Sequence, residues 1–184
     1  MLSLQDYPPG MIFQTAYVVR DMEESIRKFV DTLKIGPWIV VENFGGPHMK
    51  YRGTPTPTLN LDVAWSFSGD MMYEFVVQND AGPSVYRDTV EERGYGLHHF
   101  GYFTRDLDAE VRRLRDQGHD LAFEAQLPEE LDSTRVVYMD TRSTIGAMTE
   151  IPEYGPILDI FDEIKKQCIG WDGSNPLRGL PAPM

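Results

Sequence analysis

The chain has 184 residues, 41% of them hydrophobic and 11% aromatic, so it is long enough to bury a core and too apolar to be disordered. Its formal net charge is −12 and lysines and arginines form no cluster, so we expect neither nucleic acid nor an anionic membrane surface as a partner. No apolar run reaches the length of a membrane span, the N-terminal residues lack the features of a secretory signal, and the single cysteine, Cys168, favours a reducing, cytoplasmic location.

The first half of the chain is predicted to have the element order β-α-β-β-β. Aromatic and β-branched residues predict a strand over 11–19, and apolar residues at helical spacing predict a helix over 22–34 with Asp21 as its N-cap. Three further strands are predicted, at 38–42, 59–68 and 71–78. Prolines and glycines predict a long loop over 43–57, interrupted by one short strand at 49–52.

The second half is predicted to repeat this order after a connector at 80–95 that contains a short helix. The predicted elements are a strand at 97–104, a helix at 106–117, strands at 121–125, 135–140 and 147–151, and a loop at 128–133. An amphipathic helix is predicted over 156–167, followed by a loosely held tail after Gly170.

An internal repeat relates the two halves. Residues 14–22 and 99–107 both read x-x-small-Tyr-x-x-Arg-Asp-apolar, which aligns Gln14 with His99. We therefore predict an α+β domain over 11–153 built from two βαβββ modules (11–79 and 96–153), with 154–184 as a C-terminal helix and loose tail. The mixed sheets of the two modules would curl into a cup with the helices outside.

Polar residues at matched positions suggest a metal site inside this cup. Each module carries a carboxylate among apolar residues of its last strand, Glu74 in the first and Glu150 in the second. Buried carboxylates need compensation, which a divalent cation shared by Gln14, Glu74, His99 and Glu150 would supply. Three oxygens and one nitrogen suit zinc, nickel, cobalt, manganese or iron(II).

Other polar residues have simpler interpretations. Strand alternation directs His98 away from His99, so we interpret His98 as a structural residue or as a support of a ligand. His48, in the long loop, is a candidate pocket residue, whereas His119 is expected in solvent and Cys168 is not expected to be catalytic. A single glutamate in a strand usually points to solvent, and only the repeat raises the expectation for Glu74 and Glu150.

The segment His99–Asp108 resembles the metal-ligand strand and first helix of the vicinal oxygen chelate superfamily, and 14–23 resembles the other copy. This superfamily includes glyoxalase I, methylmalonyl-CoA epimerase, extradiol dioxygenases and bleomycin-resistance proteins. The order Gln, Glu, His, Glu is similar to the eukaryotic glyoxalase I ligand set, which holds zinc. The resemblance implies that Glu150, or alternatively Glu74, takes a proton from the carbon next to a metal-bound oxygen.

The resulting hypothesis is a metal-dependent lyase or isomerase that acts on a small, partly hydrophobic substrate. The sequence shows no basic cluster suited to glutathione or coenzyme A. Candidate pocket residues are mainly apolar and comprise Trp38, His48, Trp65, Phe67, Met71, Phe103, Met139 and Met148. Two alternatives stay open: a non-catalytic small-molecule binder of the resistance type, and an iron(II) extradiol-type dioxygenase. We also expect a homodimer, because the family often pairs modules across subunits.

Overall fold

The computed structural model describes residues 3–127 and 134–180. The predicted loop at 128–133 lies outside the described residues. The strands are β1 Ile12–Val18, β2 Trp38–Phe44, β3 Lys50–Tyr51, β4 Thr54–Pro55, β5 Leu61–Ser68, β6 Met71–Gln78, β7 Gly96–Tyr102, β8 Asp120–Gln126, β9 Arg135–Asp140, β10 Met148–Pro152 and β11 Leu177–Arg178. The α-helices are α1 Met22–Leu33, α2 Val85–Arg93, α3 Leu107–Asp116, α4 Arg142–Ile145 and α5 Ile157–Cys168, and a short 3-10 helix covers Leu4–Asp6.

The described strands form one sheet in the order β11-β2-β5-β6-β1-β7-β10-β9-β8-β3-β4. The order β2-β5-β6-β1 in the first module is mirrored by β8-β9-β10-β7 in the second, and β1 pairs with β7 in antiparallel orientation at the centre. In each module the first strand pairs in parallel with the last, β1 with β6 and β7 with β10. The predicted α+β class and the two repeated modules are therefore confirmed.

The long loop between β2 and β5 shows how strongly the sheet curls. β2 lies near one edge of the sheet, yet β3 pairs with β8 near the other edge. The chain between Phe44 and Lys50 can span at most roughly 20 Å. The two edges therefore approach each other, and the sheet forms a cup.

Helices α1 and α3 pack on the convex face of the sheet, as predicted. Phe29 of α1 contacts Phe75 and Trp38, and Leu107 and Leu114 of α3 pack with Met139. Both helices begin at an aspartate N-cap, since Asp21 accepts from the Glu24 amide at 2.8 Å and Asp106 from the Ala109 amide at 2.9 Å.

Helix α5 corrects the prediction that the helices lie outside the cup. Its Phe161 packs against Trp65 and Phe13, with ring centres 5.3 and 6.4 Å apart, inside the concave face. The tail also differs from the loosely held segment that we predicted. Leu177 and Arg178 pair in parallel with Trp38 and Ile39, which extends the sheet by one strand beyond β2.

Candidate metal centre

Four strands at the middle of the sheet bring together the residues that the repeat singles out. Gln14 lies on β1, Glu74 on β6, His99 on β7 and Glu150 on β10. Ligand atoms of Glu74, His99 and Glu150 all lie within 4.8 Å of one another. Since one chain supplies all four side chains, the cluster needs no residue from a second subunit.

The imidazole of His99 points between the two carboxylates. Its Nε2 lies 3.3 Å from Glu74 Oε2 and 3.3 Å from Glu150 Oε2, yet neither contact has hydrogen-bond geometry. Burial is the largest single influence on His99 and lowers its pKa, but the charges and contacts of Glu150 and Glu74 together outweigh burial and raise that pKa to about 9. Burial raises the pKa of the Glu74 carboxyl. The cluster thus contains two acids and one base, with His99 and Glu74 buried and Glu150 partly buried.

Neighbouring donors hold the two carboxylates at defined positions. Glu74 accepts from Trp65 Nε1 at 2.8 Å on one oxygen and from Gln14 Nε2 at 3.0 Å on the other. Glu150 Oε1 accepts from the Tyr138 hydroxyl at 2.6 Å. Trp65 and Tyr138 are the cross-strand partners of Glu74 and Glu150, so antiparallel register delivers both donors.

A β-bulge places His98 beside His99 rather than on the opposite face, which corrects the prediction from strand alternation. In the β1–β7 pairing, Ala16 faces His99 and Tyr17 faces Leu97, so His98 is the extra residue. The two Nδ1 atoms of the histidines lie 2.8 Å apart. His98 therefore supports His99 directly.

Hydrogen-bond logic fixes the neutral tautomer of His99. His98 Nε2 lies 3.1 Å from the Val85 carbonyl oxygen, which only accepts, so Nε2 carries the hydrogen. Burial lowers the pKa of His98 well below 6.5, so its Nδ1 is an acceptor and His99 Nδ1 must donate to it. Neutral His99 then carries its lone pair on Nε2, directed at the space between the carboxylates, as a metal-ligating histidine requires.

Helix α2 in the connector supports His99 and Glu150, each through one intervening side chain. Val85 fixes His98, and the Tyr86 hydroxyl lies 3.0 Å from the Tyr138 hydroxyl that holds Glu150. Burial, together with the charges of the two glutamates, raises the pKa of both tyrosines well above 10, so both stay neutral. Helix α2 therefore contacts both His98, which orients His99, and Tyr138, which orients Glu150.

The buried polar atoms that lack a hydrogen-bond partner in this cluster fit the ligands of a divalent cation. Gln14 Oε1 and His99 Nε2 are the two buried side-chain atoms of residues 3–127 and 134–180 that lack a hydrogen-bond partner. Orphaned buried polar atoms are costly, and here His99 Nε2 lies beside both carboxylates while Gln14 Oε1 belongs to the amide that contacts Glu74. A Cβ at Gly101 would overlap Gln14 Oε1, so this glycine makes room for the amide.

A family model described as the glyoxalase/bleomycin resistance protein/dioxygenase superfamily matches residues 13–138. The chain belongs to this superfamily. The vicinal oxygen chelate resemblance is therefore confirmed, and superfamily membership supports a metal-dependent function of this general type without fixing the reaction. Superfamily members typically bind a divalent metal, and Glu74, His99 and Glu150 form a group that can bind one.

Solved structures show the same fold at low sequence identity. Methylmalonyl-CoA epimerase from Mycobacterium tuberculosis is 22% identical with a TM-score of 0.54, and the match covers 82% of this chain and 92% of that one. A hypothetical protein from Bacillus halodurans is 15% identical with a TM-score of 0.52, covering 78% and 94%. No curated protein matches the chain. Among the described helices, none has the length and apolar character needed to cross a bilayer.

The predicted pocket residues fall in different parts of the superfamily fold. Trp65 lines the cavity above the cluster, whereas Phe67, Phe103 and Met148 belong to the apolar core around it. Met71 lies at the turn between β5 and β6. Three residues lie elsewhere: Trp38 and Met139 pack on the helix-covered face, and His48 lines a groove beside α3.

Sequence reasoning missed most of the cavity wall. Besides Trp65 and the cluster itself, the cavity is lined by apolar residues from several elements: Phe13, Phe44, Leu127, Val136, Pro152, Ile157 and Phe161. The amphipathic pattern of α5 identified Ile157 and Phe161 as buried, but it could not tell which face of the sheet they would cover. Cys168 lies outside the site, where its sulfur accepts from the Phe67 amide.

Proposed function

We propose that this protein is a metal-dependent lyase or isomerase that moves a proton at the carbon next to a carbonyl or hydroxyl oxygen of a small, partly hydrophobic substrate. The observation that carries this proposal is the convergence of one imidazole, one amide and two carboxylates, with Gln14 Oε1 and His99 Nε2 orphaned. Gln14, Glu74, His99 and Glu150 would hold the metal. The predicted homodimer and cytoplasmic location remain predictions.

Zinc is the metal that we propose. One imidazole nitrogen and three oxygens suit it, and two carboxylates balance its charge. Iron(II) oxygenases typically use two histidines and one carboxylate, and this cluster has one histidine, which argues against the dioxygenase alternative. When bound, the ion would polarise the substrate oxygens and stabilise the negative charge that develops on them.

Glu150 is the better candidate for the base. Both oxygens of Glu74 accept from groups that only donate, the indole N–H of Trp65 and the amide NH2 of Gln14. Tyr138 holds Glu150 at Oε1, whereas Glu150 Oε2 lies 3.3 Å from His99 Nε2 without a hydrogen bond to it. Glu150 Oε2 can therefore take a proton from a substrate carbon and return it, while Glu74 stays in place.

The apolar wall of the cavity also contributes to the proposed reaction, through its effect on the electrostatics of the site. Trp65, Phe13 and Phe161 surround the carboxylates and exclude bulk water. In such surroundings the charges of the cluster act through a low effective dielectric, which strengthens their effect on a substrate. The wall also favours the hydrophobic part of the substrate.

Metal analysis tests the ligand assignment. We expect the purified protein to carry about one zinc per chain, and His99→Ala to lose it, because the imidazole is the single nitrogen ligand. His119, which lies outside the cluster just after the end of α3, is the matched control, and His119→Ala should keep its zinc. Normal zinc content in both His99→Ala and Glu150→Gln would contradict the assignment.

Proton exchange tests the reaction class. Zinc-loaded protein in D₂O should exchange the α-hydrogens of hydroxyacetone or 2-hydroxyacetophenone, followed by ¹H NMR, because exchange needs only proton abstraction and return. A loaded protein that binds such ketones without exchanging them would support the non-catalytic binder instead.

A further inference from the structure

Helix α5 forms a roof over the candidate metal centre. Ile157 and Phe161, one turn apart on the helix, line the same cavity as Gln14, Glu74 and Glu150. Phe161 is 7% exposed and packs on Trp65, the residue that holds Glu74. The roof is therefore in direct contact with the wall of the site.

The space left under this roof is very small. The cavity measures about 50 Å³. Pockets that hold organic ligands usually measure about 300–1,000 Å³. A substrate of more than a few heavy atoms therefore needs the cavity wall to open, and Phe161 of α5 is the part of that wall that packs on both Trp65 and Phe13.

The charge of the lining also restricts what can enter. Among the described residues that line the cavity, the polar side chains are Gln14, Glu74 and Glu150, and none carries a positive charge. An anionic group buried there would lack a partner besides the metal, which is costly. The lining thus favours an uncharged organic body attached to the chelating oxygens.

Besides its apolar packing, α5 is held mainly by polar side-chain contacts and pairs with no strand of the sheet. Lys165 Nζ donates to Asp70 Oδ1 at 2.6 Å and to the Tyr7 hydroxyl at 2.8 Å. Asp162 accepts from the Leu4 amide at 2.9 Å. The helix is thereby attached to the β5–β6 turn and to the N-terminal segment. A shift of α5 would exchange these contacts and part of its apolar packing, while the strand pairing that carries the cluster would stay intact.

We propose that α5 is a movable roof over the site and that Phe161 determines specificity by limiting the size of an uncharged substrate body. This inference rests on the proposed function, because it takes the cluster below Phe161 as the metal centre.

Three hydroxamic acids with the same chelating head test the proposal. Zinc-loaded protein is titrated calorimetrically with acetohydroxamic acid, benzohydroxamic acid and succinic acid monohydroxamate, which differ in tail size and charge. We expect Phe161→Ala to raise the affinity for the benzoyl compound about tenfold relative to the acetyl compound. The carboxylate tail should bind most weakly in every variant. Phe161→Leu, a milder change, should shift the same ratio in the same direction, and exposed Asp159→Asn is the control.

The outcomes distinguish a failure of the proposed metal centre from a failure of the proposed role of Phe161. If none of the three compounds binds the zinc-loaded protein more tightly than the metal-free protein, the proposed metal centre fails and the roof fails with it. If they bind but the benzoyl-to-acetyl ratio is unchanged in both Phe161 variants, the role of Phe161 is wrong while the metal centre stands. A carboxylate tail that binds as well as the phenyl tail would overturn the charge selection.

A rate measurement tests the movement. Asp70→Asn weakens the contact with Lys165, so benzohydroxamic acid should associate several-fold faster, as followed by stopped-flow tryptophan fluorescence. An unchanged association rate would contradict a roof that opens at this contact.

Discussion

The two modules place a carboxylate at the same point of the fold but surround it with different hydrogen-bond donors. Trp65 faces Glu74 across β5 and β6, and Tyr138 faces Glu150 across β9 and β10. An indole N–H only donates, whereas a phenol both donates and accepts. The duplicated fold therefore fixes the geometry, and the divergence between the modules gives the two carboxylates different hydrogen-bond partners, on which their proposed roles rest.

The first strands of the two modules also differ in the hydrogen-bond partners of their matched polar residues, Gln14 and His99. Gln14 of β1 donates its amide hydrogen to Glu74, so this carboxylate has a donor on each oxygen. His99 of β7 is supported by His98 and, through it, by α2, for which the first module has no counterpart at its own ligand strand. Two equivalent acids in unlike surroundings are the usual basis for unlike roles in proton transfer.

The largest expected effect separates the two carboxylates. Glu150→Gln should slow α-hydrogen exchange of 2-hydroxyacetophenone by about 10²–10⁴-fold, because it removes the base. Glu74→Gln should act mainly through zinc affinity, with exchange recovering when zinc is added in excess. Equal losses that excess zinc restores in both variants would contradict the division of roles.

The second prediction compares the imidazole of His99, which titrates, with the amide at the matched position of the first module, Gln14, which does not. Because the pKa of His99 is about 9 in the metal-free protein, a proton occupies Nε2 at pH 7 and zinc must displace it. Zinc affinity should therefore rise about tenfold per pH unit from pH 7 and level off above 9. His99→Gln, which gives both modules an amide, should lose this dependence; competition with a chromophoric chelator measures it.

The same pKa predicts how the stability of the metal-free protein varies with pH. A pKa raised from 6.5 in the unfolded chain to about 9 in the folded protein stabilises the fold fully below pH 6.5. This contribution should be lost as the pH rises through 9. Urea unfolding of the metal-free protein at several pH values checks the sign, and a stability that rises over this range would contradict it.

The fourth prediction concerns the two donors that face the carboxylates. Tyr138→Phe leaves Glu150 without its hydrogen bond, and loss of such a supporting contact typically weakens metal binding about 10–100-fold. Trp65→Phe should weaken zinc binding less, because Gln14 still holds Glu74. The exposed Tyr95, changed to Phe, is the control. A larger loss from Trp65→Phe would reverse our interpretation of the two modules.

The sequence predicts the cluster because each copy of the repeat can be recognised from a short segment of the chain. Gln14 and His99 each lie in the first strand of a module, and Glu74 and Glu150 in the last, so one topology brings all four together. Strand positions followed from side-chain alternation and turn residues, which are also local signals. These signals are sufficient to predict the repeated fold and the convergence of Glu74, His99 and Glu150.

The supporting contacts depend on information that a single strand does not carry. Tyr138 reaches Glu150 only through the register of β9 with β10, and His98 reaches His99 only through a bulge. The apolar face of α5 fits a concave or a convex surface equally well, so its pattern does not reveal the roof. Leu177 and Arg178 become a strand because β2 offers an edge.

The smallest predicted effect tests whether the modules are equal as scaffolds. Asp21 and Asp106 cap α1 and α3 in the same way, at 2.8 and 2.9 Å from the amides of Glu24 and Ala109. Asp21→Ala and Asp106→Ala should each lower the free energy of unfolding by about 1 kcal/mol, and by similar amounts, in urea denaturation. Because both caps lie on the convex side, away from the cluster, zinc affinity should stay unchanged in both variants. A cap substitution that weakened zinc binding would show that the helix ends contribute to the site, and that the modules differ in their scaffold as well as in their chemistry.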